Sequence, residues 1–97
     1  MIIAKVEGNL WATRKEETLV GRKLMIVRPS TLAGETTGES FVAVDAVDAG
    51  IGEMVMFCQG SSARLAPGMK DAPVDAVIIG IVDSVDVLGK QIFSGKA

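Results

Sequence analysis

Three short runs constrain this chain more than any other feature: KLMIVRP at 23–29, EMVMFCQ at 53–59 and AVIIGIV at 76–82. Each is strand-sized, and each is apolar at consecutive positions instead of alternate ones. A strand turns successive side chains to opposite faces. A run that is apolar at both parities therefore needs cover on both sides. A small closed sheet can bury one face of such strands in its interior, and something else must cover the other.

The remaining segments read as strands and turns around these runs. From Ile2 to Trp11 the pattern alternates, with Ile2, Ala4, Val6 and Leu10 on one face and Lys5, Glu7 and Asn9 on the other. Lys23 to Pro29 forms a second strand, ended by a proline that removes a ladder donor. Ser40 to Val47, Glu53 to Cys58 and Ala76 to Val82 give three more. ATRKEETLVGRK is a polar connection, and STLAGETTGES, with two glycines and small polar residues, is expected to be a mobile loop. In DAGIGE, Gly50 and Gly52 supply positive φ or close backbone approach between strands three and four. One short helix is expected in SSARLAP, capped by Ser61 or Ser62 and stopped by Pro67 and Gly68. The expected fold is all-β: a small five-stranded OB-like antiparallel β-barrel with one short helix, a design that hides strand edges. At 97 residues, 1–97 is expected to be a single domain.

Composition bears on the uncovered face. Hydrophobic residues make up 48% of the chain and there are 11 glycines, an apolar share above the roughly 45–50% of soluble domains on the same count. Met25, Val27, Met54, Met56 and Ile78 are assigned to the outer face. Covering eight or ten such side chains at about 1.5–3 kcal/mol each gives on the order of 10 kcal/mol per subunit before ordering costs. The sequence thus calls for a permanent oligomer of small barrels.

Other classes fit poorly. The longest apolar run, Ala76 to Val82, falls far short of the ~18–20 residues of a membrane-spanning helix. Lys5 and Glu7 interrupt any signal-like N-terminus, and a lone Cys58, read as a small buried hydrophobe, agrees with the cytoplasm. Ten basic and 12 acidic residues, mixed along the chain for a net charge of −2, form no polycationic face for nucleic acid or membrane. The alternative of an OB-like nucleic-acid or ligand binding module lacks a stacking platform, since Trp11, Phe41, Phe57 and Phe93 are scattered. VDAG at 47–50 resembles the hydrophobic-Asp-Thr/Ser-Gly motif of small dimeric aspartic proteases, but Ala49 lacks the supporting hydroxyl. With no His and no Tyr, no catalytic residue, cofactor site or metal site is expected.

Three blocks, AKVEGNLWATRKEETLVGRKLMIV, VAVDAVDAGIGEMVMFCQGSSAR and PVDAVIIGIVDSVDV, cover about two thirds of the chain. In sequence and order they resemble the signature blocks of the bacterial microcompartment vertex proteins, the EutN/CcmL family. The resemblance implies a non-enzymatic shell protein in the cytoplasm: a homopentamer that caps the vertices of a polyhedral shell whose facets are hexameric shell proteins. It implies that Asp48, Ala49 and Gly50 line a narrow central opening. Family members often carry glycine where this chain has Asp48; five such carboxylates would repel one another and favour cations. It also implies a subunit-interface role for the GSSAR block, with Arg64 bridging to a neighbour's carboxylate or carbonyl. Trp11 suits a rim or interface, Asp75 and Asp83 suit carboxylates that accept N–H bonds at strand ends, and Glu35, Glu39, Lys70 and Asp71 are candidates for the rim against the facets. The terminal GKQIFSGKA resembles tails from catabolic compartments more than carbon-fixing ones.

Overall fold

The computed structural model describes residues 1–13, 17–19, 21–66, 68–69 and 74–95; Lys70 and Asp71 lie outside the described residues. The strands are Ile2–Leu10 (β1), Lys23–Pro29 (β2), Phe41–Asp45 (β3), Met54–Gln59 (β4), Ala76–Ile81 (β5), Ser84–Val87 (β6) and Lys90–Ser94 (β7), with 3-10 segments at Glu17–Leu19 and Gly60–Leu65. The first five close a barrel in the order β1-β2-β3-β5-β4, while β6 and β7 form a separate two-stranded sheet. The five expected strands are all present. One pairing differs from the antiparallel expectation: β3 and β5 run parallel, through Val44↔Val77 and Asp45↔Ile78. The chain reaches β5 only after β4 and a long connection, which a parallel neighbour requires.

The barrel interior holds Ala4, Val6, Met25, Val27, Ala43, Val55, Phe57 and Ile78, all essentially inaccessible. Met25, Val27 and Ile78 therefore point inward, against the outward assignment made from sequence. The reason is phase. Alternation fixes that neighbours oppose each other, but a strand apolar at both parities does not mark which parity is the core. Pairing settles it here, through Val6↔Val27, Met25↔Ala43 and Phe57↔Ile78. A register shift between Val6 and Gly8 reverses the phase within β1, so that Leu10 pairs with outward Leu24 and leaves the face of Ala4 and Val6.

Much of the second apolar face is covered by the chain itself. Outside the barrel, Val44, Ala63, Met69, Val74 and Val77 form a second buried cluster, with Leu19, Leu24, Ala66 and Ile79 against it. Gly60–Leu65 supplies Ala63 to that cluster. Its N-cap is Gln59, which makes no side-chain cap bond, so neither expected serine caps it. Among the described residues, the bonds seen at these strand ends go to the carbonyls of Asp75 and Asp83, from Gly60 N–H (2.7 Å) and Gly95 N–H (2.8 Å). The 30–40 loop is well tied: Thr37 N–H donates to the Pro29 carbonyl at 2.7 Å, Thr31 N–H to that of Glu35 at 2.8 Å, and Arg28 Nε to that of Gly38 at 2.9 Å.

Met54 is also buried, although it lies on the outer face of β4. Its cover is local. Phe93 of β7 and the 30–40 loop meet there, and a β-carbon at Gly34 would stand 2.9 Å from the Phe93 ring and 3.6 Å from Met54 Cε. Gly34 also has φ of +95°. Gly34→Ala is therefore expected to cost about 1–3 kcal/mol. At Gly80 φ is ordinary and the added methyl would meet only the flexible end of Met56. Gly80→Ala should cost less than about 1 kcal/mol, and urea unfolding midpoints of the two variants at equal protein concentration check the contrast.

Candidate functional site

β3 ends at Asp45, whose side chain is fully buried at one mouth of the barrel. Oδ1 accepts the N–H of Val47 at 2.9 Å and Oδ2 that of Ala49 at 2.6 Å. This is the local turn an aspartate builds when its carboxylate reaches backbone amides just ahead of it. Lys23 sits opposite Asp45 across the β2–β3 pair. Its Nζ lies 3.4 Å from Asp45 Oδ2, donates to Asp48 Oδ1 at 3.2 Å and donates to the Ala49 carbonyl at 2.8 Å. The hydrogen bond with Asp48, aided by the charges of Asp45 and Asp48 and opposed by partial desolvation, holds the Lys23 ammonium above its ordinary pKa.

The rest of the loop is tied to β1. Gly50 N–H donates to Glu53 Oε1 at 2.5 Å, Gly52 N–H to the Val6 carbonyl at 2.8 Å, and Val6 N–H to that of Glu53 at 3.0 Å. Gly52 has the expected positive φ, +91°, whereas Gly50 serves as a point of close approach for the Glu53 carboxylate. β3 and β4 do not pair with each other, so the loop crosses the barrel mouth instead of closing a hairpin. Ile51 stands at its tip, 63% exposed.

Of the three residues expected around a central opening, the structure separates one from the others. Ala49 is wholly buried, its methyl part of the barrel core, so its side chain cannot line an opening. Asp48 turns outward with a 97% exposed side chain and sits at φ of +58°, in the left-handed region where glycine is least strained. Sequence alone does not reveal the Lys23 partnership, because 25 residues separate Lys23 from Asp48 and the register of β2 against β3 joins them. The Asp45 turn did carry a signal: an aspartate at a strand end followed by small loop residues.

Of the residues assigned to a subunit interface, Met56 stays half-buried on the outer face, opposite Gly80 and next to Ile3 of β1, and Arg64 is exposed. Met25, Val27, Met54 and Ile78 are sealed within the subunit. Trp11 is 89% exposed just beyond β1. Among the described residues no group of His, Cys, Asp and Glu could hold a metal ion. The carboxylates of the loop are engaged by Lys23 and backbone amides, so the arrangement stiffens a surface rather than preparing a reactive group.

A closed five-stranded barrel with a stitched mouth loop and outlying apolar surface defines a small structural module. The profile of the family described as "Ethanolamine utilisation protein EutN/carboxysome" matches residues 1–83, up to the end of the barrel. The chain is 40% identical over 96 residues to the carboxysome shell vertex protein CcmL of Gloeobacter violaceus, covering 99% of this chain and 96% of that one. It is also 40% identical, over 93 residues, to the microcompartment shell vertex protein EutN of Salmonella typhimurium, covering 96% and 94%. The solved structure of Gloeobacter violaceus CcmL superposes with a TM-score of 0.93 at 39% identity over all of both chains. The pentameric microcompartment shell protein GrpN of Rhodospirillum rubrum does so with a TM-score of 0.82 at 40% identity, over 91% of this chain and all of that one. The chain belongs to the EutN/CcmL family.

Proposed function

We propose that this chain is a single-domain shell subunit that assembles as a ring of five and closes the vertices of a polyhedral bacterial microcompartment in the cytoplasm. It is a structural protein, not an enzyme. The carrying observation is the end-to-end likeness to shell vertex proteins, including a pentameric one. The action is geometric: five wedge-like subunits seated among hexameric facet proteins impose curvature on an otherwise flat layer, with Glu35 and Glu39, both exposed, available at the rim.

The half-buried outer stripe of Ile3 and Met56, with exposed Arg64, contributes to subunit contacts. Asp48 and Gly50 border the central opening. Because each Asp48 carries Lys23 at 3.2 Å, such an opening is ringed by ion pairs and not by bare carboxylates, which weakens the cation preference a lone aspartate ring would have.

Native mass spectrometry tests the ring directly: a five-subunit species supports it and a stable monomer removes it. Mixing with hexameric shell proteins tests the vertex role, with closed polyhedra expected by electron microscopy and open sheets or tubes in the absence of this chain. Met56→Glu is expected to shift the ring to smaller species, since a buried unpaired carboxylate costs several kcal/mol per contact. Unchanged rings would place Met56 away from the interface.

A further inference from the structure

The β6–β7 hairpin has a tip that its own fold does not account for. Val87 pairs with Lys90, leaving Leu88 and Gly89 as a two-residue turn with φ of +51° and +78°. Turns with both central residues at positive φ favour Asn-Gly or Asp-Gly. A bulky leucine is strained there. It is also entirely exposed, at 102%, beside partly exposed Val87. Among the described residues the hairpin strands pair only with each other, and the anchoring contact, Phe93 near Met54 and Gly34, involves β7 well away from the tip. A strained side chain left in water gains nothing in the isolated subunit, so its benefit must come from something it meets.

A matching recess lies elsewhere on the same subunit. On the outer face of β2 and β3 a groove of about 180 Å³ is lined by Leu19, Leu24, Val42 and Val74, with Asp75 as its polar residue among those described. Val42 is in mid-strand yet 42% exposed. An apolar cavity of about 150 Å³ accepts a benzene ring, so a leucine side chain fits. The hairpin packs Phe93 against Met54 of β4 and Gly34 of the β2–β3 connection, whereas the groove is lined by Leu24 of β2 and Val42 of β3. Knob and groove are thus two different patches of one subunit. Rings close through contacts between two different patches of the same chain. The charges also agree, with Lys90 beside the tip and Asp75 in the groove.

We propose that the β6–β7 hairpin is an arm that inserts Leu88 into the Leu24–Val42–Val74 groove of the next copy in the ring, with Lys90 facing Asp75 there. This rests on the ring-of-five reading above. Leu88→Asn creates the Asn-Gly turn, so it relieves the hairpin while removing the apolar tip. By native mass spectrometry over a dilution series, its rings should half-dissociate at a concentration at least about 10-fold higher than those of the unaltered chain, the effect of leaving one leucine unburied per contact. Its far-ultraviolet circular dichroism should be unchanged. Leu88→Met should keep the ring, Val42→Ser should weaken it, and the double variant should be no worse than the weaker single one, because the two side chains share one contact. Leu88→Asn rings that survive dilution as well as the unaltered ones overturn the arm and leave the pentamer standing. Independent, additive effects of Leu88→Asn and Val42→Ser overturn the groove as its seat. An unaltered chain that is monomeric throughout overturns the ring reading itself.

Discussion

Asp45→Ala is expected to destabilise the protein by about 3 kcal/mol and to loosen the barrel mouth. Two charge-assisted bonds are lost, from Val47 and Ala49 N–H, each worth about 1.5–3 kcal/mol, and Lys23 loses one of its two carboxylate partners. Asp45→Asn isolates the chemistry. It preserves one acceptor but turns an amide donor toward a donor, so it should cost less than alanine and still exceed about 1 kcal/mol. Urea unfolding at fixed protein concentration reads both, since assembly makes apparent stability concentration-dependent. Hydrogen exchange should accelerate at the Val47 and Ala49 amides. If the mouth loop borders the central opening, Asp45→Ala will also blur that opening without touching any residue that lines it. A midpoint unchanged by Asp45→Ala would mean that the carboxylate holds nothing.

Phe57→Ala has the larger expected effect on the fold. Phe57 is wholly inaccessible, pairs with Ile78 across β4 and β5, and packs its ring 5.0 Å from that of Phe41 at 55°. Truncating a buried phenylalanine costs about 3–5 kcal/mol through lost transfer energy and the cavity left behind. A domain of this size has a total stability on the order of 5–15 kcal/mol. The variant should therefore melt roughly 15–30 °C lower or fail to accumulate, whereas Phe57→Leu retains most of the volume and should lose about half as much or less. Calorimetry at matched concentration decides. A small loss in Phe57→Ala would show that the interior tolerates voids, contrary to a closed barrel packed by one aromatic pair.

How far these features were legible depended on which physical signal each left in the chain. Strands β1 to β5 were readable from runs such as KLMIVRP and AVIIGIV, because β-branched residues bounded by Pro, Gly and polar clusters leave few alternatives. The arm was not. β6 and β7 are short, interrupted by Asp86, Lys90 and Gln91, and joined by Leu88-Gly89, which lacks the usual turn chemistry; the segment read as a tail. Its lean toward catabolic compartments finds no echo in overall identity, as CcmL and EutN relatives both match at 40%. The mouth loop was half legible: its glycines announced a turn, but Asp45 went unread although a strand-end aspartate favours local bonds, and nothing local marked Ala49 as a core residue or Lys23 as the clasp.

By itself, the order of residues determined that the chain forms a small all-β barrel, that its strands carry apolar side chains at both parities, and that its vertex-family blocks stand in sequence. These are local properties, set by backbone preference and hydrophobic period. Only the tertiary structure decided which parity faces inward, because Met25 and Leu24 are equally suited to a core until the pairing with β3 and β1 assigns one to the barrel and the other to its outer cluster. It likewise decided that the chain covers much of its own second face, and which apolar side chains stay exposed, among them Trp11, Ile51, Leu65 and Leu88. Such choices depend on register and closure, which join residues far apart in the chain, and no short stretch contains them.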